Sequence, residues 1–221
     1  MIDNKIKIAI DGGAGTGKTS VANLLSDRTN LEYINTGEMY RLFTLISFQN
    51  NLLNESQKLV DLLKENTFNY LGGKIISSYD FNNDDLHTSL DVINNVSKVA
   101  ADEIVRTYAM ELQKQIARDN EGIILEGRDI GSEIMPNADF KFFLTVSPEV
   151  AATRRHEQMI AKGKESNYDD VLSNIIERNK IDSTRTLSPL VKAEDAVEIK
   201  TDNHTVSEIV DTIIKRIKNE E

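Results

Sequence analysis

The sequence predicts an α/β fold of three layers, in which a parallel sheet of about five strands lies between helices on both faces. Two observations lead to this prediction. Short apolar runs without polar alternation recur along the chain, as expected of strands that are buried on both sides. Segments of helical periodicity separate these runs, as in repeated strand and helix units. The 221 residues are enough for one such domain with small insertions.

The individual elements follow from these two patterns. The strands are predicted at 5–10, 33–34, 122–126, 140–146 and 196–200. The helices are predicted at 17–27, 37–50, 91–119, 148–162, 168–182 and 205–218. The last helix opens with Thr205-Val-Ser-Glu208, which is the pattern of a capping box.

One segment departs from the alternation of strands and helices. Gly72-Gly73 separates two stretches of strand-like composition at 67–71 and 74–79. Glycine tolerates the positive φ that tight hairpin turns need. We therefore expect a small antiparallel hairpin, inserted beside the functional site.

The first predicted strand leads directly into a glycine-rich loop, Gly12-Gly-Ala-Gly-Thr-Gly-Lys-Thr19. The loop matches a phosphate-binding P-loop, in which backbone N–H groups and a helix N-terminus face an anion. Lys18 is expected to reach the β- and γ-phosphates of a bound nucleotide triphosphate, and the Thr19 hydroxyl to ligate Mg²⁺. The alternative is a glycine-rich turn that binds nothing. The residues assigned to ATP in this loop are Gly12, Gly13, Ala14, Gly15, Thr16, Gly17, Lys18, Thr19 and Ser20.

Composition and charge narrow the class of protein. The absence of cysteine excludes disulfides, thiolate zinc sites and catalytic thiols. The formal charge of −10 disfavours a broad nucleic-acid-binding face. Met1-Ile-Asp-Asn-Lys5 lacks the long apolar segment of a signal peptide or a membrane span. With no apolar surface stripe apparent either, we expect a cytoplasmic monomer without nucleic-acid or membrane partners.

A second polar group, Glu126-Gly-Arg128-Asp129, follows a predicted buried strand. Ligands of open α/β folds bind at the carboxyl ends of the strands, so these side chains should face the P-loop. A carboxylate of this group, Glu126 or Asp129, can hold Mg²⁺ through water, with Glu126 as the first candidate, and Arg128 can clamp a phosphate with two hydrogen bonds. The alternative is an ion pair between Arg128 and a neighbouring carboxylate.

The helix after the second strand begins with Thr36-Gly-Glu-Met-Tyr40-Arg41. Thr36 is a suitable N-cap. Arg41 lies near the helix N-terminus, where the dipole disfavours a cation, so a bound anion would compensate it. The alternative is an ordinary exposed arginine.

A third polar group consists of Arg178, Asp182 and Arg185, which a continued helix would bring into one stripe. Such a stripe is either a solvated salt-bridge face or a mobile arm that folds guanidinium groups over a phosphate. Arg154 and Arg155 on the preceding helix can belong to the same arm. Because adjacent residues on a helix point in different directions, only one of these two arginines is expected to face a ligand.

Other short motifs do not indicate a function. Asn179-Lys-Ile-Asp182 matches the guanine-recognition string of GTPases, but it lies in a helical segment and not after a buried strand. His87, His156 and His204 have no metal-ligand spacing and are expected at the surface. The sequence contains no Gly-x-Ser-x-Gly elbow, so serine hydrolysis has no support.

Taken together, the polar motifs resemble those of bacterial cytidylate kinases, a family of P-loop nucleoside monophosphate kinases, over nearly the whole chain. The matching motifs are Thr36-Gly-x-x-Tyr40-Arg41, Val96-Ser97-x-Val-Ala100 with Arg106 downstream, Gly127-Arg128-Asp129-x-Gly131, and Arg178-x-x-x-Asp182-x-x-Arg185 followed by Ser188-Pro-Leu190. The hairpin matches a β insertion of the bacterial members. The resemblance implies phosphoryl transfer from MgATP to CMP or dCMP. The alternatives are another small-molecule kinase, acting on UMP, AMP or shikimate, and a non-catalytic ATP-binding regulator.

The resemblance also implies a role for each matching residue. Arg41 and Arg128 would hold the acceptor phosphate, and Ser97, Arg106 and Asp129 would read the cytosine edge. Arg178 and Asp182 would contact the pentose, and Arg185 would lie near the acceptor nucleotide. Thr36 and Tyr40 are also assigned to the acceptor substrate. The catalytic set is Lys18, Arg128, Arg178 and Arg185, and Arg154 is assigned to ATP. One kinase domain of 1–221 would comprise a core (1–36, 120–150 and 186–221), a monophosphate-binding region (37–119) and a short helical lid (151–185).

The sequence departs from the pattern of this family at three places. Glu126 replaces the usual Asp and is one methylene longer. Gly13-Ala14 replaces a Pro-Ser pair in the P-loop. In the predicted lid, Asn179, Ile181 and Ser183 stand where an acid or arginines often occur. With fewer charges in the lid, Arg178 and Arg185 should each be more important.

Overall fold

The computed structural model describes residues 3–218; residues 1, 2 and 219–221, at the ends of the predicted core, lie outside the described part. In chain order the elements are β1 (Lys7–Gly12), α1 (Lys18–Thr29), β2 (Glu32–Asn35), α2 (Thr36–Gln49), α3 (Ser56–Lys64), β3 (Phe68–Leu71), β4 (Lys74–Ser77), α4 (Asp85–Thr88), α5 (Leu90–Ala101), α6 (Glu103–Asp119), β5 (Ile123–Gly127), a π-helical turn (Ile130–Ile134), β6 (Phe140–Thr145), α7 (Pro148–Ala161), α8 (Tyr168–Thr184), β7 (Val197–Lys200) and α9 (Val206–Ile217).

A parallel sheet with the strand order β2-β5-β1-β6-β7 forms the centre of the fold. Its five strands confirm the prediction, and every neighbouring pair is parallel. Strand β1 lies in the middle, between β5 and β6. The P-loop after β1 and the polar residues after β5 therefore emerge side by side at the carboxyl edge of the sheet.

Side chains of the central strands point alternately to opposite faces of the sheet, and a hydrophobic core forms on each face. Ile8 and Ile10 of β1 and Ile124 of β5 pack with α1 and α9. Ala9 of β1 and Leu125 of β5 pack with α2, α3, α5 and α6. All five of these side chains are fully buried, which explains the apolar runs without alternation.

Helices α7 and α8 share a smaller core of their own. Ala151 and Ala152 of α7 and Ile175 of α8 pack there with Ala14 of the P-loop. The two helices that were predicted as the lid thus lie directly against the phosphate-binding loop.

The helices differ from the prediction in two respects. The segment predicted as one helix at 91–119 is two helices, α5 and α6. Asp102 separates them, because its Oδ1 accepts hydrogen bonds from the N–H groups of Ile104 and Val105, both at 3.1 Å. Helices α3 and α4 occupy a region for which no helix was predicted. The capping box at the start of α9 is confirmed, with Thr205 N–H donating to Glu208 Oε2 at 2.8 Å.

The predicted hairpin is confirmed. Strands β3 and β4 pair in antiparallel fashion with Leu71 opposite Lys74, and Gly72 and Gly73 have φ angles of 56° and 78°. A Cβ on Gly73 would lie 2.6 Å from Cδ1 of Tyr33. Glycine therefore lets the turn of the hairpin pack on the Tyr33 ring of β2.

The turn after β5 is held by a carboxylate from β1. Asp11 accepts hydrogen bonds from the N–H groups of Ile130 (2.8 Å) and Gly131 (2.7 Å). Burial raises the pKa of Asp11 to about 6, although these two hydrogen bonds act in the opposite direction. Asp11 thereby fixes the segment that carries Arg128 and Asp129 to the central strand.

Candidate active site

The P-loop lies between β1 and α1, as predicted. A Cβ on Gly12 would lie 2.3 Å from the carbonyl oxygen of Leu144 in β6. Gly15 has a φ of 76°, and a Cβ there would lie 2.6 Å from the Cβ of Ala151. The path of the loop therefore requires glycine at both positions, for space and for backbone conformation.

Lys18 is buried on the first turn of α1 and folds back over the loop. Its Nζ donates to the carbonyl oxygen of Gly13 at 2.7 Å and to Thr16 Oγ1 at 3.2 Å. Burial, together with the charge of Arg128, lowers the pKa of Lys18 to about 7, whereas Glu126 acts in the opposite direction. Negative charge from a polyphosphate would stabilise an ammonium group at this position.

Glu126 lies opposite the start of α1. Its Oε1 accepts hydrogen bonds from the hydroxyl groups of Thr19 (2.7 Å) and Tyr33 (2.6 Å). Its Oε2 is buried and has no hydrogen-bond partner within residues 3–218. Burial raises the pKa of Glu126, while Lys18 and the two hydroxyl groups lower it. An unpaired carboxylate oxygen beside a hydroxyl group is a suitable donor set for a hard cation.

The start of α2 corrects one prediction. Asn35 and not Thr36 is the N-cap, because the Asn35 side chain accepts a hydrogen bond from the Gly37 N–H at 2.9 Å. Thr36 is the first residue of the helix, and its hydroxyl donates to the main-chain oxygen of Glu126 at 2.8 Å. The Thr36 hydroxyl therefore joins α2 to β5.

Three arginines from separate elements converge beside the P-loop: Arg41 of α2, Arg128 after β5 and Arg178 of α8. Burial, with the charges of Arg128 and Arg41, lowers the pKa of Arg178 to about 10. Burial also lowers the pKa of Arg41, and the charge of Arg128 contributes. Arg41 donates to the Leu86 carbonyl oxygen at 3.0 Å, while the buried Nε of Arg178 has no hydrogen-bond partner among the described residues. Mutually repelling, partly buried cations of this kind are typical of a site for a multiply charged anion.

Helix α8 reaches this arginine cluster through Asp182, which is buried. One Asp182 oxygen accepts a hydrogen bond from Arg128 Nε at 2.7 Å, and the other lies 3.3 Å from Arg185 Nη1. Burial alone would raise the pKa of Asp182, but Arg128 and Arg185 hold it below its ordinary value. The stripe of α8 therefore faces inward, so the alternative of a solvated salt-bridge face is wrong. The ion pair considered for Arg128 does exist, with a carboxylate of α8 and not with a sequence neighbour.

A buried ion pair between Arg106 and Asp129 forms the innermost part of the site. Arg106 donates to Asp129 Oδ2 and to the carbonyl oxygen of Ala100, both at 2.7 Å, and only 1% of its side chain is exposed. Arg185 Nη2 lies 3.7 Å from Asp129 Oδ1. Arg106 Nε, Arg185 Nη2 and the Tyr40 hydroxyl are buried without a hydrogen-bond partner in the described part of the chain. Such atoms are typical of a pocket for a polar ligand.

Two further predicted site residues, Ser97 and Arg154, lie on α5 and α7. Ser97 lies half-buried on α5. Arg154 of α7 lies at the end of β7, where its guanidinium donates to the Thr201 hydroxyl at 3.1 Å. Its neighbour Arg155 is the one whose charge adds to the effect of burial in lowering the pKa of Arg41.

Asp11 and Tyr33 are site residues that sequence reasoning missed. An acid in an otherwise apolar strand, directly before the P-loop, is a signal that identifies Asp11 in retrospect. Tyr33 reaches Glu126 from the neighbouring strand β2, so nothing in its local sequence marks it.

The five-stranded parallel sheet and the glycine-rich loop after β1, with arginines converging beside it, are the features of a P-loop kinase. The family model described as cytidylate kinase matches residues 8–219. The chain therefore belongs to the cytidylate kinase family.

Curated relatives agree with membership of this family, and a solved structure agrees with the fold. A cytidylate kinase of Clostridioides difficile (strain 630) is 37% identical over 211 residues, covering 95% of this chain and 97% of the relative. A cytidylate kinase of Clostridium tetani (strain Massachusetts / E88) is 40% identical over 219 residues, covering 97% and 95%. A solved shikimate kinase from Bacteroides thetaiotaomicron has a TM-score of 0.51 and 12% identity, covering 96% of this chain and 98% of that one. At this identity the likeness shows the fold alone.

Two features were not found in the described part of the structure. Within residues 3–218 no helix is long and apolar enough to cross a membrane. The same residues contain no group of three or more His, Cys, Asp or Glu that could hold a metal ion.

Proposed function

We propose that this chain transfers the γ-phosphoryl group of ATP to CMP or dCMP, giving ADP and CDP or dCDP. The observation that carries this proposal is the convergence of Arg41, Arg128 and Arg178 beside Lys18 of the P-loop, next to the buried Arg106–Asp129 pair. A donor triphosphate and an anionic acceptor with a polar base account for both features together.

The donor half of the site would bind the ATP phosphates through main-chain N–H groups of residues 12–20. Lys18, whose Nζ now donates to the P-loop itself, would turn to the β- and γ-phosphates. Arg154 holds the chain just after β7 through Thr201, and we assign that neighbourhood to the nucleoside end of ATP.

Thr19 and Glu126 are the residues that would hold Mg²⁺, with Glu126 acting through water. The residues fit this ion because Mg²⁺ binds hard oxygen ligands and usually takes only one or two carboxylates from a protein. When bound, Mg²⁺ neutralises charge on the transferring phosphates. Tyr33 would restrain the Glu126 carboxylate through its 2.6 Å hydrogen bond.

The acceptor half would bind the CMP phosphate between Arg41 and Arg128. Ser97, Arg106 and Asp129 would read the cytosine, which offers O2 and N3 as acceptors and an amine as donor. Uracil would leave buried groups of this set unpaired, and such mismatches discriminate strongly between substrates. Arg178 and Asp182 would face the pentose, and Arg185 would lie near the acceptor nucleotide.

The reaction needs no general base. The acceptor is a phosphate monoester whose second pKa is near ~6, so at neutral pH it is already largely dianionic. Catalysis then consists of in-line positioning, neutralisation of charge by Lys18, Arg128, Arg178 and Arg185, and exclusion of water by the lid.

The division into regions and the assembly state are part of the same proposal. Residues 37–119 would form the monophosphate-binding region and 151–185 the lid, on a core made by the rest of the chain. The enzyme would act as a cytoplasmic monomer, and its net charge of −10 argues against nucleic acid as a partner. Light scattering after size exclusion measures the assembly state.

A panel of acceptors tests the proposed function. ADP release from MgATP is measured with CMP, dCMP, UMP, AMP and shikimate. We expect kcat/KM to be highest for CMP or dCMP and at least about tenfold lower for UMP. Equal activity on UMP or AMP would contradict the assignment of the acceptor, and ATP binding without ADP release from any acceptor would favour a regulator.

A further inference from the structure

The lid helix α8 touches the P-loop through a side chain to which the proposed reaction assigns no role. Asn179 Oδ1 accepts a hydrogen bond from the Ala14 N–H at 2.7 Å. Beside this contact, Ile175 of the same helix packs in the small core that contains Ala14. A polar and an apolar contact thus dock α8 on one residue of the loop.

Gly13 makes room for the Asn179 side chain. A Cβ at position 13 would lie 2.8 Å from Asn179 Oδ1, and its three nearest atoms would all belong to Asn179. Gly13 is not among the glycines with a positive φ, so its role here is spatial. Gly13-Ala14 and Asn179 are also two of the places at which the sequence departs from its family, and the structure puts them in contact.

The contact connects the two halves of the site. Asn179 and Asp182 are three residues apart and therefore share a face of α8. Asn179 meets the donor loop, while Asp182 accepts a hydrogen bond from Arg128 in the arginine cluster at 2.7 Å. Because a carboxamide is neutral, Asn179 adds no repulsion toward bound phosphates.

We propose that Asn179 is a positioning residue that docks the lid on the donor loop and so holds Arg178 of the same helix over the reacting phosphates. It acts through the main chain of Ala14, and Gly13 is the complementary position that admits it. The consequence for catalysis rests on the proposed function, whereas the docking is a property of the free protein and is measurable without any substrate.

The first experiment measures docking in the nucleotide-free protein by amide hydrogen exchange of residues 162–185. Asn179→Ala removes the acceptor, and we expect exchange to become about threefold to tenfold faster, as for loss of one hydrogen bond. Asn179→Asp keeps an acceptor oxygen and should stay within about twofold of the parent protein. Asn174→Ala, on an exposed position of the same helix, is the matched control and should change nothing.

The second experiment measures kinetics with the same variants. Asn179→Ala should raise KM for ATP about threefold to tenfold and leave KM for CMP within about twofold. ADP release without an acceptor should also increase, because an undocked lid admits water. The single variant Gly13→Ala should reproduce these effects, because its Cβ would displace the Asn179 side chain. Added to Asn179→Ala, the same change should have little further effect, since the Asn179 carboxamide is then absent.

The outcomes separate this inference from the proposed function. Unchanged exchange in Asn179→Ala would overturn the docking role, as would additive effects of Gly13→Ala and Asn179→Ala. Equal increases in KM for ATP and for CMP would contradict the proposal that Asn179 docks the lid on the donor loop. Faster exchange in a protein that phosphorylates neither CMP nor dCMP would support the docking and refute the proposed function.

Discussion

The donor half and the acceptor half of the site are built in different ways. The donor half is one continuous segment, residues 12–20, whose main-chain groups would bind phosphate. The acceptor half consists of side chains from distant segments: Arg41, Arg106, Arg128 and Asp182 come from α2, α6, the end of β5 and α8. The first depends on local backbone geometry, and the second depends on the packing of the whole domain.

The donor and acceptor halves also differ in their electrostatics. In the donor half, Lys18 is surrounded by groups of its own loop and by Glu126. In the acceptor half, arginines repel one another and are only partly compensated, by Asp182 and Asp129. We therefore expect donor-side changes to act mainly on ATP, and acceptor-side changes to act on CMP and on its selection.

The largest effect is expected on the donor side, from Lys18→Met. The change removes the cation that would stabilise charge on the transferring phosphoryl group, and we expect kcat to fall about a thousandfold or more. Steady-state ADP release with CMP measures the loss. Lys192→Met, in a half-exposed pair with Glu198 at 3.7 Å, is the control. If Lys18→Met keeps a tenth of the parent activity, Lys18 has no catalytic role.

The next largest effect is expected on the acceptor side, from Arg128→Ala. This change removes one member of the arginine cluster and the partner of Asp182, so we expect kcat/KM for CMP to fall about 100-fold or more. ATP binding, measured by calorimetry, should change little. Arg28→Ala removes a surface arginine paired with Asp211 and serves as control. Near-normal turnover of Arg128→Ala would refute its phosphate-binding role.

A smaller effect is expected from Tyr33→Phe, which changes the metal-binding part of the donor half. Tyr33→Phe removes one hydrogen bond to Glu126 and loosens that carboxylate. We expect the Mg²⁺ concentration for half-maximal activity to rise about threefold to tenfold. A Mg²⁺ titration at saturating ATP and CMP measures the shift. An unchanged midpoint would mean that the Tyr33 hydrogen bond does not position Glu126 for Mg²⁺ binding.

The smallest effect is expected from Arg154→Ala. This arginine supports the chain after β7 through Thr201, so we expect KM for ATP to rise about twofold to fivefold, with KM for CMP unchanged. Initial rates at varied ATP measure the change, and Arg118→Ala, at an exposed position, is the control. A larger effect on CMP than on ATP would place Arg154 in the acceptor half.

The same contrast explains what the sequence was able to predict. The P-loop and the five strands were predicted because their signals are local: a contiguous motif and short apolar runs. The break at Asp102 was missed because a cap within a periodic segment interrupts a helix without changing its apolar spacing. Asn35 replaced Thr36 as the cap because neighbouring residues can both cap, and only the backbone path selects between them.

In the acceptor half, the phosphate-binding arginines were predicted from their positions at a strand end and on helices, but the residues that would read cytosine were predicted only through resemblance to a family. No spacing rule brings Arg106 to Asp129 or Asp182 to Arg128, since these pairs form by packing of helices onto the sheet. For the same reason the role of Tyr33 was missed, and the contact of Asn179 with the P-loop became visible only in three dimensions.

Selection of cytosine by the buried Arg106–Asp129 pair, together with Ser97, is the central claim about the acceptor half. It is tested most directly by kcat/KM for CMP divided by kcat/KM for UMP, in the parent protein and in Asp129→Asn. The matched control is Asp195→Asn, which alters a carboxylate paired with Lys141 at 2.7 Å. We expect the ratio to fall about tenfold or more in Asp129→Asn and to stay constant in Asp195→Asn. An unchanged ratio in a folded, active Asp129→Asn would contradict the claim.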